Sequence, residues 1–224
     1  MNRSEFKTKA HGPELEPFFP ASRHIIPSGV QTRVRDWIVL GVLNGLVVAL
    51  SHLIYALYVF FGPAAFFMGF YHQSAENLLI ASVYLLMAVT APNRRPFTLN
   101  AVVWSAMGLM QGWWTLLPVA VPAGFLADRV IRWAVPQQRS GWVLVSFVFY
   151  TSMLSAGTFW PFLLLKQSAV IQRMTAMDPG IAVMVDTFTL PFCVSILAAT
   201  FITALVGGYM ALKLIARHFG IYQG

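Results

Sequence analysis

One cysteine, Cys193, excludes an internal disulfide and a metal cluster built from cysteines. Charge is also scarce. Only 10% of the residues are charged, against about 25% in an ordinary soluble domain. The chain has no HExxH, no GxSxG and no Walker A loop, and no pair of carboxylates at metal-ligand spacing. Zincin-type hydrolysis, nucleophile-elbow hydrolysis and ATP hydrolysis within this chain are therefore excluded. The few ionisable groups favour binding over chemistry, and no resident cofactor is expected. A short apolar core with a small-residue cleavage site is lacking too, so the first apolar run is expected to be retained as a membrane span.

Apolar sequence fills the remainder. The 224 residues are 58% hydrophobic with a mean hydropathy of +0.67. Apolar segments this long need lipid as solvent, and only helices keep their backbone satisfied there unless a barrel closes. The expected class is an all-α polytopic membrane protein, a compact bundle of six transmembrane helices. The net charge is +7. Its carriers sit in short loops and tails, so they read as orientation signals and not as a nucleic-acid surface.

Residues 1–35 form a polar tail broken by Pro13, Pro17, Pro20 and Pro27, expected to be flexible and cytoplasmic. The membrane domain is residues 36–224, with spans near 37–61, 64–90, 97–113, 116–133, 142–165 and 181–214. The second is broken by a polar kink at His72–Glu76, or replaced by a re-entrant loop and a short helix. The sixth is interrupted at Pro191. Arg33, Arg35, Arg94, Arg95, Arg129, Arg132, Arg139, Lys213 and Arg217 fall on one side of this topology, Lys166 and Arg173 on the other. The positive-inside rule then makes both termini cytoplasmic.

The first span, DWIVLGVLNGLVVALSHLIYALYVFF, divides into two parts. Gly41, Gly45 and Ala49 repeat every four residues and line one face, with Asn44 beside it. Such a stripe either packs the helix within its own bundle or receives a separate helical protein. His52 and Tyr55 lie one turn apart in the other half. His52 is either satisfied by a neighbouring span or faces a ligand. His72 and Glu76, at i and i+4, meet if their segment is helical. They either neutralise each other or orient a substrate at the outer mouth. Trp113 and Trp114 read as an interfacial belt or a stacking wall for a flat ring. Trp160 reads as core or as lining for the same cavity. The two His and several Met permit haem as a ligand, and a flat vitamin precursor is equally allowed.

From Trp37 to the end the chain resembles the substrate-binding S components of energy-coupling factor (ECF) transporters, closest to the MptD/Trep_Strep group. The resemblance rests on Gly41, Gly45 and Ala49, on AGFLADRVIR (Ala123 to Arg132), and on a Gly-rich sixth span with a basic tail. The long N-terminal tail and the polar residues His72 and Glu76 depart from that pattern. The resemblance implies a subunit of the bacterial or archaeal cytoplasmic membrane that captures a small vitamin-, cofactor- or haem-like solute. It implies docking on a transmembrane T component with two ABC-type ATPases. Gly41, Gly45 and Ala49 would meet the T component. His52, Tyr55, His72, Glu76, Trp113, Trp114 and Trp160 would belong to the substrate region. The competing expectation is an integral-membrane enzyme or assembly factor using His52, His72 and Glu76.

Overall fold

A computed structural model describes residues 34–59, 71–110, 114–177 and 179–219. Most of the N-terminal tail, the Phe61–Pro63 turn, most of the 64–71 stretch, Trp113 and the last five residues lie outside the described residues.

Helix follows helix: α1 Val34–Val59, α2 His72–Leu79, α3 Ala81–Thr90, α4 Pro96–Met110, α5 Leu117–Ala134, α6 Ser140–Leu164, α7 Ala169–Met177, α8 Pro179–Thr187 and α9 Leu190–Phe219. Short 3-10 turns, Pro92–Arg94 and Trp114–Leu116, precede α4 and α5. No strand occurs among the described residues. Among the described residues, four apolar stretches, Asp36–Leu57, Trp114–Ala134, Ser140–Leu164 and Leu190–His218, are long enough to cross a membrane. The segments expected as the second and third spans contain the shorter apolar helices Ala81–Thr90 and Pro96–Met110.

The elements depart from expectation in three places. His72–Glu76 is a regular helical turn and not a kink. The break falls at Ile80, whose ψ of 9° ends α2 and whose N–H still donates to the Glu76 carbonyl at 2.8 Å. The stretch expected as a loop at 166–180 contains α7, Ala169–Met177, whose Ile171 and Met174, three residues apart, pack on the core as one helix face. The interruption at Pro191 separates α8 from α9, so the long final helix starts at Leu190 and not near 181. Pro191 sits in the first turn of α9, where a missing N–H costs nothing.

α4, α5 and α6 pack as sequential neighbours, and α9 lies along α6, α2 and α3. α1 leans on α2, α3 and α4 from one side. The main core gathers Leu40, Val47, Tyr84, Phe97, Ile131, Phe147 and Tyr150. A second cluster, around Phe159, Ile171, Phe188 and Ile196, joins the end of α6 to α7, α8 and the start of α9. Lys166 closes this end by donating to the Val185 carbonyl at 3.1 Å, with Asp186 3.7 Å away.

Polar groups stitch the helices where lipid cannot hydrogen-bond them. Asn44 is buried and donates to the Leu40 carbonyl at 3.0 Å. Its Oδ1 accepts from Asn100 Nδ2 at 2.9 Å, and Asn100 Oδ1 accepts from the Tyr150 hydroxyl at 2.7 Å. The network ties α1, α4 and α6 together. Asn44 thus belongs to the bundle, while the adjacent small residues face away from it.

The segment AGFLADRVIR acquires a structural reason. Asp128 is fully buried on α5 and reaches the start of α4. Its oxygens accept from Phe97 N at 3.0 Å, Thr98 N at 2.7 Å and Thr98 Oγ1 at 2.7 Å. These are the second and third residues of α4, whose amides have no acceptor within their own helix. Gly124, one turn earlier, lets α5 approach: a Cβ there would lie 2.7 Å from the Phe97 carbonyl oxygen.

One end of the bundle collects the basic groups. Arg94 pairs with Asp36 at 3.7 Å and lies over Trp37. Arg95 covers Phe125, and Arg139 covers Trp133.

Candidate functional site

Burial and chemistry diverge most at α2. Its eight residues, HQSAENLL, bury Gln73, Ser74, Glu76 and Asn77 together. Two of these face α9. Asn77 Nδ2 donates to the Thr200 carbonyl at 3.2 Å, and the Ser74 hydroxyl lies 3.4 Å from that of Thr200. Glu76 faces α1, and Gln73 lies beside it. Glu76 is completely buried, and its Oε2 accepts from Gln73 Nε2 at 3.1 Å. The Ser51 hydroxyl of α1 lies beside the carboxylate, and His72 and His52 are within electrostatic reach. Glu76 Oε1 has no hydrogen-bond partner, nor has Ser51 Oγ.

The unpaired groups continue inward. The Tyr84 hydroxyl on α3 lies beside Gln73 and Trp104. Both it and Trp104 Nε1 on α4 are buried without a partner. Four helices thus aim unspent polar atoms at one locus. A buried polar atom left without a partner costs about 1–3 kcal/mol, so such a concentration marks a site more than a packing solution.

His52 and Tyr55 flank this locus from α1. The His52 ring lies parallel to Trp104, 4° off, with centroids 6.0 Å apart. Its Nδ1 is 2.8 Å from the Val48 carbonyl. A carbonyl only accepts, so Nδ1 carries the proton and Nε2 is the acceptor of the neutral ring. Tyr55 is exposed and meets His72 edge-on at 6.2 Å. Among the described residues, no three His, Cys, Asp or Glu side chains gather closely enough to hold a metal ion.

The structure therefore brings His52, Tyr55, His72 and Glu76 together from two helices. Trp160 is engaged elsewhere. Its Nε1 donates to the Thr115 carbonyl at 3.1 Å and ties α6 to the turn before α5. Trp114 lies on that turn, partly exposed, and Trp113 lies outside the described residues. Ser51, Gln73, Tyr84 and Trp104 are the site residues that sequence reasoning missed. Gln73 was detectable as the i−3 neighbour of Glu76. Tyr84 and Trp104 lie in apolar stretches and carry no local signal.

Gly41, Gly45 and Ala49 sit on the opposite part of α1. All three are exposed, and a Cβ at either glycine would meet nothing within 4 Å.

Residues 34–220 match a family described as hypothetical bacterial integral membrane protein (Trep_Strep). The chain belongs to the Trep_Strep family. Comparison with curated proteins and with solved structures returns no match. The matched range spans the Trep_Strep bundle from the first residue of α1 to one residue beyond α9. It therefore includes both the polar locus and the exposed stripe. The Trep_Strep chain is thus an integral membrane protein with several apolar helices.

Proposed function

We propose that this Trep_Strep protein is the substrate-capture subunit of an ECF-type importer. It takes a small vitamin-, cofactor- or haem-like solute from outside the cell and docks on a transmembrane T component bearing two ABC-type ATPases. The observation that carries this reading is the division of α1. Its exposed small-residue stripe lies toward the basic end of the bundle, and its polar residues join the Glu76 locus in the other half. A capture-and-dock cycle needs a partner surface and a ligand surface that do not compete. The lack of a nucleotide motif fits an ATPase supplied by other chains.

In this reading the chain crosses the membrane six times, with α2 and α3 forming part of one crossing. Both termini are cytoplasmic, because Arg94, Arg95, Arg139 and Lys213 lie in turns and ends that the positive-inside rule assigns to that side. The membrane is the bacterial cytoplasmic membrane. A cysteine placed at Arg94 should react with a membrane-impermeant maleimide only after cells are opened. Labelling in intact cells would invert the topology.

Docking is tested by Gly45→Leu. The side chain enters open space and replaces a helix-interior glycine, so the fold should be unharmed or gain up to about 1 kcal/mol. Association with the T component and ATPases should weaken by roughly 30-fold or more, as for a central interface residue. Co-purification of the tagged full chain reads both. Retained co-purification in Gly45→Leu would place docking on another face, and a wild type that captures no ATPase would refute the reading.

A second reading, a membrane enzyme or assembly factor, is favoured by the convergence of His52, His72 and Glu76. It requires a chemically altered ligand after incubation with the purified protein. Mass spectrometry of the ligand before and after incubation separates the two.

A further inference from the structure

The unspent groups at the Glu76 locus have a definite complement. Glu76 Oε1 only accepts when ionised, and Trp104 Nε1 only donates. The Ser51 and Tyr84 hydroxyls can each do either. A ligand that completes this set offers an N–H donor to the carboxylate and an acceptor to the indole, with a further polar group between them. Charge narrows the choice. Residues 36–93, which include α2, α3 and all of α1 beyond Arg35, contain no Lys or Arg, and α4 contains none. His52 and His72 lie within electrostatic reach of Glu76, yet neither makes a hydrogen bond to Oε1. The polar donors beside the carboxylate are neutral: the Gln73 amide, which donates to Oε2 at 3.1 Å, and the Ser51 hydroxyl.

A buried carboxylate in an apolar bundle needs a counter-charge or a proton. We propose that the Glu76 locus, with Ser51, Tyr84 and Trp104, binds a small organic cation: a protonated amine or amino-heterocycle that donates to Glu76 Oε1 and accepts from Trp104 Nε1. The proposal deepens the capture reading and rests on it for the ligand's role as cargo, but binding itself is independent of any partner. Anionic solutes are disfavoured by the same carboxylate, since residues 36–93 and α4 offer no Lys or Arg to receive them.

The test is calorimetric titration of the purified full chain in detergent micelles with 3-(aminomethyl)pyridine, whose ammonium donates and whose neutral ring nitrogen accepts. Nicotinate, a flat anion, is the comparison. The wild type should bind 3-(aminomethyl)pyridine and not nicotinate. Glu76→Gln keeps the shape and removes the charge, and it should weaken 3-(aminomethyl)pyridine binding roughly 10- to 100-fold. Preference for nicotinate, equal binding by wild type and Glu76→Gln, or no binding of 3-(aminomethyl)pyridine would each overturn the proposal. The wild-type comparison needs no variant, so it still decides should Glu76→Gln fail to fold. Cation binding without co-purifying ATPases would leave this site standing while capture for an importer fell. ATPase co-purification without cation binding would do the reverse.

Discussion

Gly207→Ala is expected to destabilise the bundle by about 3 kcal/mol, near the top of the usual range for overpacking. α9 passes α2 at Gly207 so closely that a Cβ there would overlap the Asn77 carbonyl oxygen. The obstacle is backbone, so no rotamer change relieves it, and one helix must move off the other. Asn77 also donates to the Thr200 carbonyl two turns earlier on α9, so the displacement would break that bond too. It would shift α2, and Glu76 with it, away from Ser51. Thermal unfolding of the purified protein in detergent should therefore show a lower midpoint, together with weaker ligand binding. Gly41→Ala is the matched control, since its Cβ meets nothing within 4 Å. Equal midpoints for the two variants would refute the close crossing.

Asp128→Ala should cost about 2–5 kcal/mol. The carboxylate accepts from two backbone amides and one hydroxyl at the start of α4. Phe97 is fully buried, so its N–H has no water to turn to once the acceptor is gone. Each buried donor orphaned in this way costs about 1–3 kcal/mol. The negative charge also faces the positive end of the α4 dipole, which adds a favourable contribution. Asp128→Asn keeps one acceptor and should lose about half as much. Unfolding in denaturant would rank the three proteins wild type, Asn, Ala. An Ala variant as stable as wild type would mean that α4 finds another cap.

The helical class and most helix positions were legible because apolar run length is a local property. α1, α5 and α6 fall within a few residues of expectation, since Pro, Gly and charged residues bound them in the sequence. The position of the α2–α3 break was not legible. The polar residues at 72–77 look like an interruption of an apolar span, yet in three dimensions Gln73, Ser74, Glu76 and Asn77 are buried among neighbouring helices, so the helix runs through them. Ile80, an apolar residue with no breaker character, carries the break instead. The site was legible in part for the same reason. His52, Tyr55, His72 and Glu76 stand out as polar residues in apolar surroundings. Tyr84 and Trp104 join them only through the packing of α3 and α4. Asp128 was visible as part of a pattern, but its task depends on an amide pair 30 and 31 residues away in the chain.

The open face of α1 has an energetic consequence. A glycine inside a helix costs roughly 0.5–1 kcal/mol relative to alanine, because the unfolded chain has more freedom to lose. At Gly124 and Gly207 the fold recovers that loss through helix approaches that no larger residue permits. At Gly41 and Gly45 nothing in the bundle does, because their surroundings are empty. Two glycines there leave α1 about 1–2 kcal/mol less stable as a helix than an alanine pair would. Whatever offsets that deficit lies outside the contacts of the described residues, as lipid or a docked helix would.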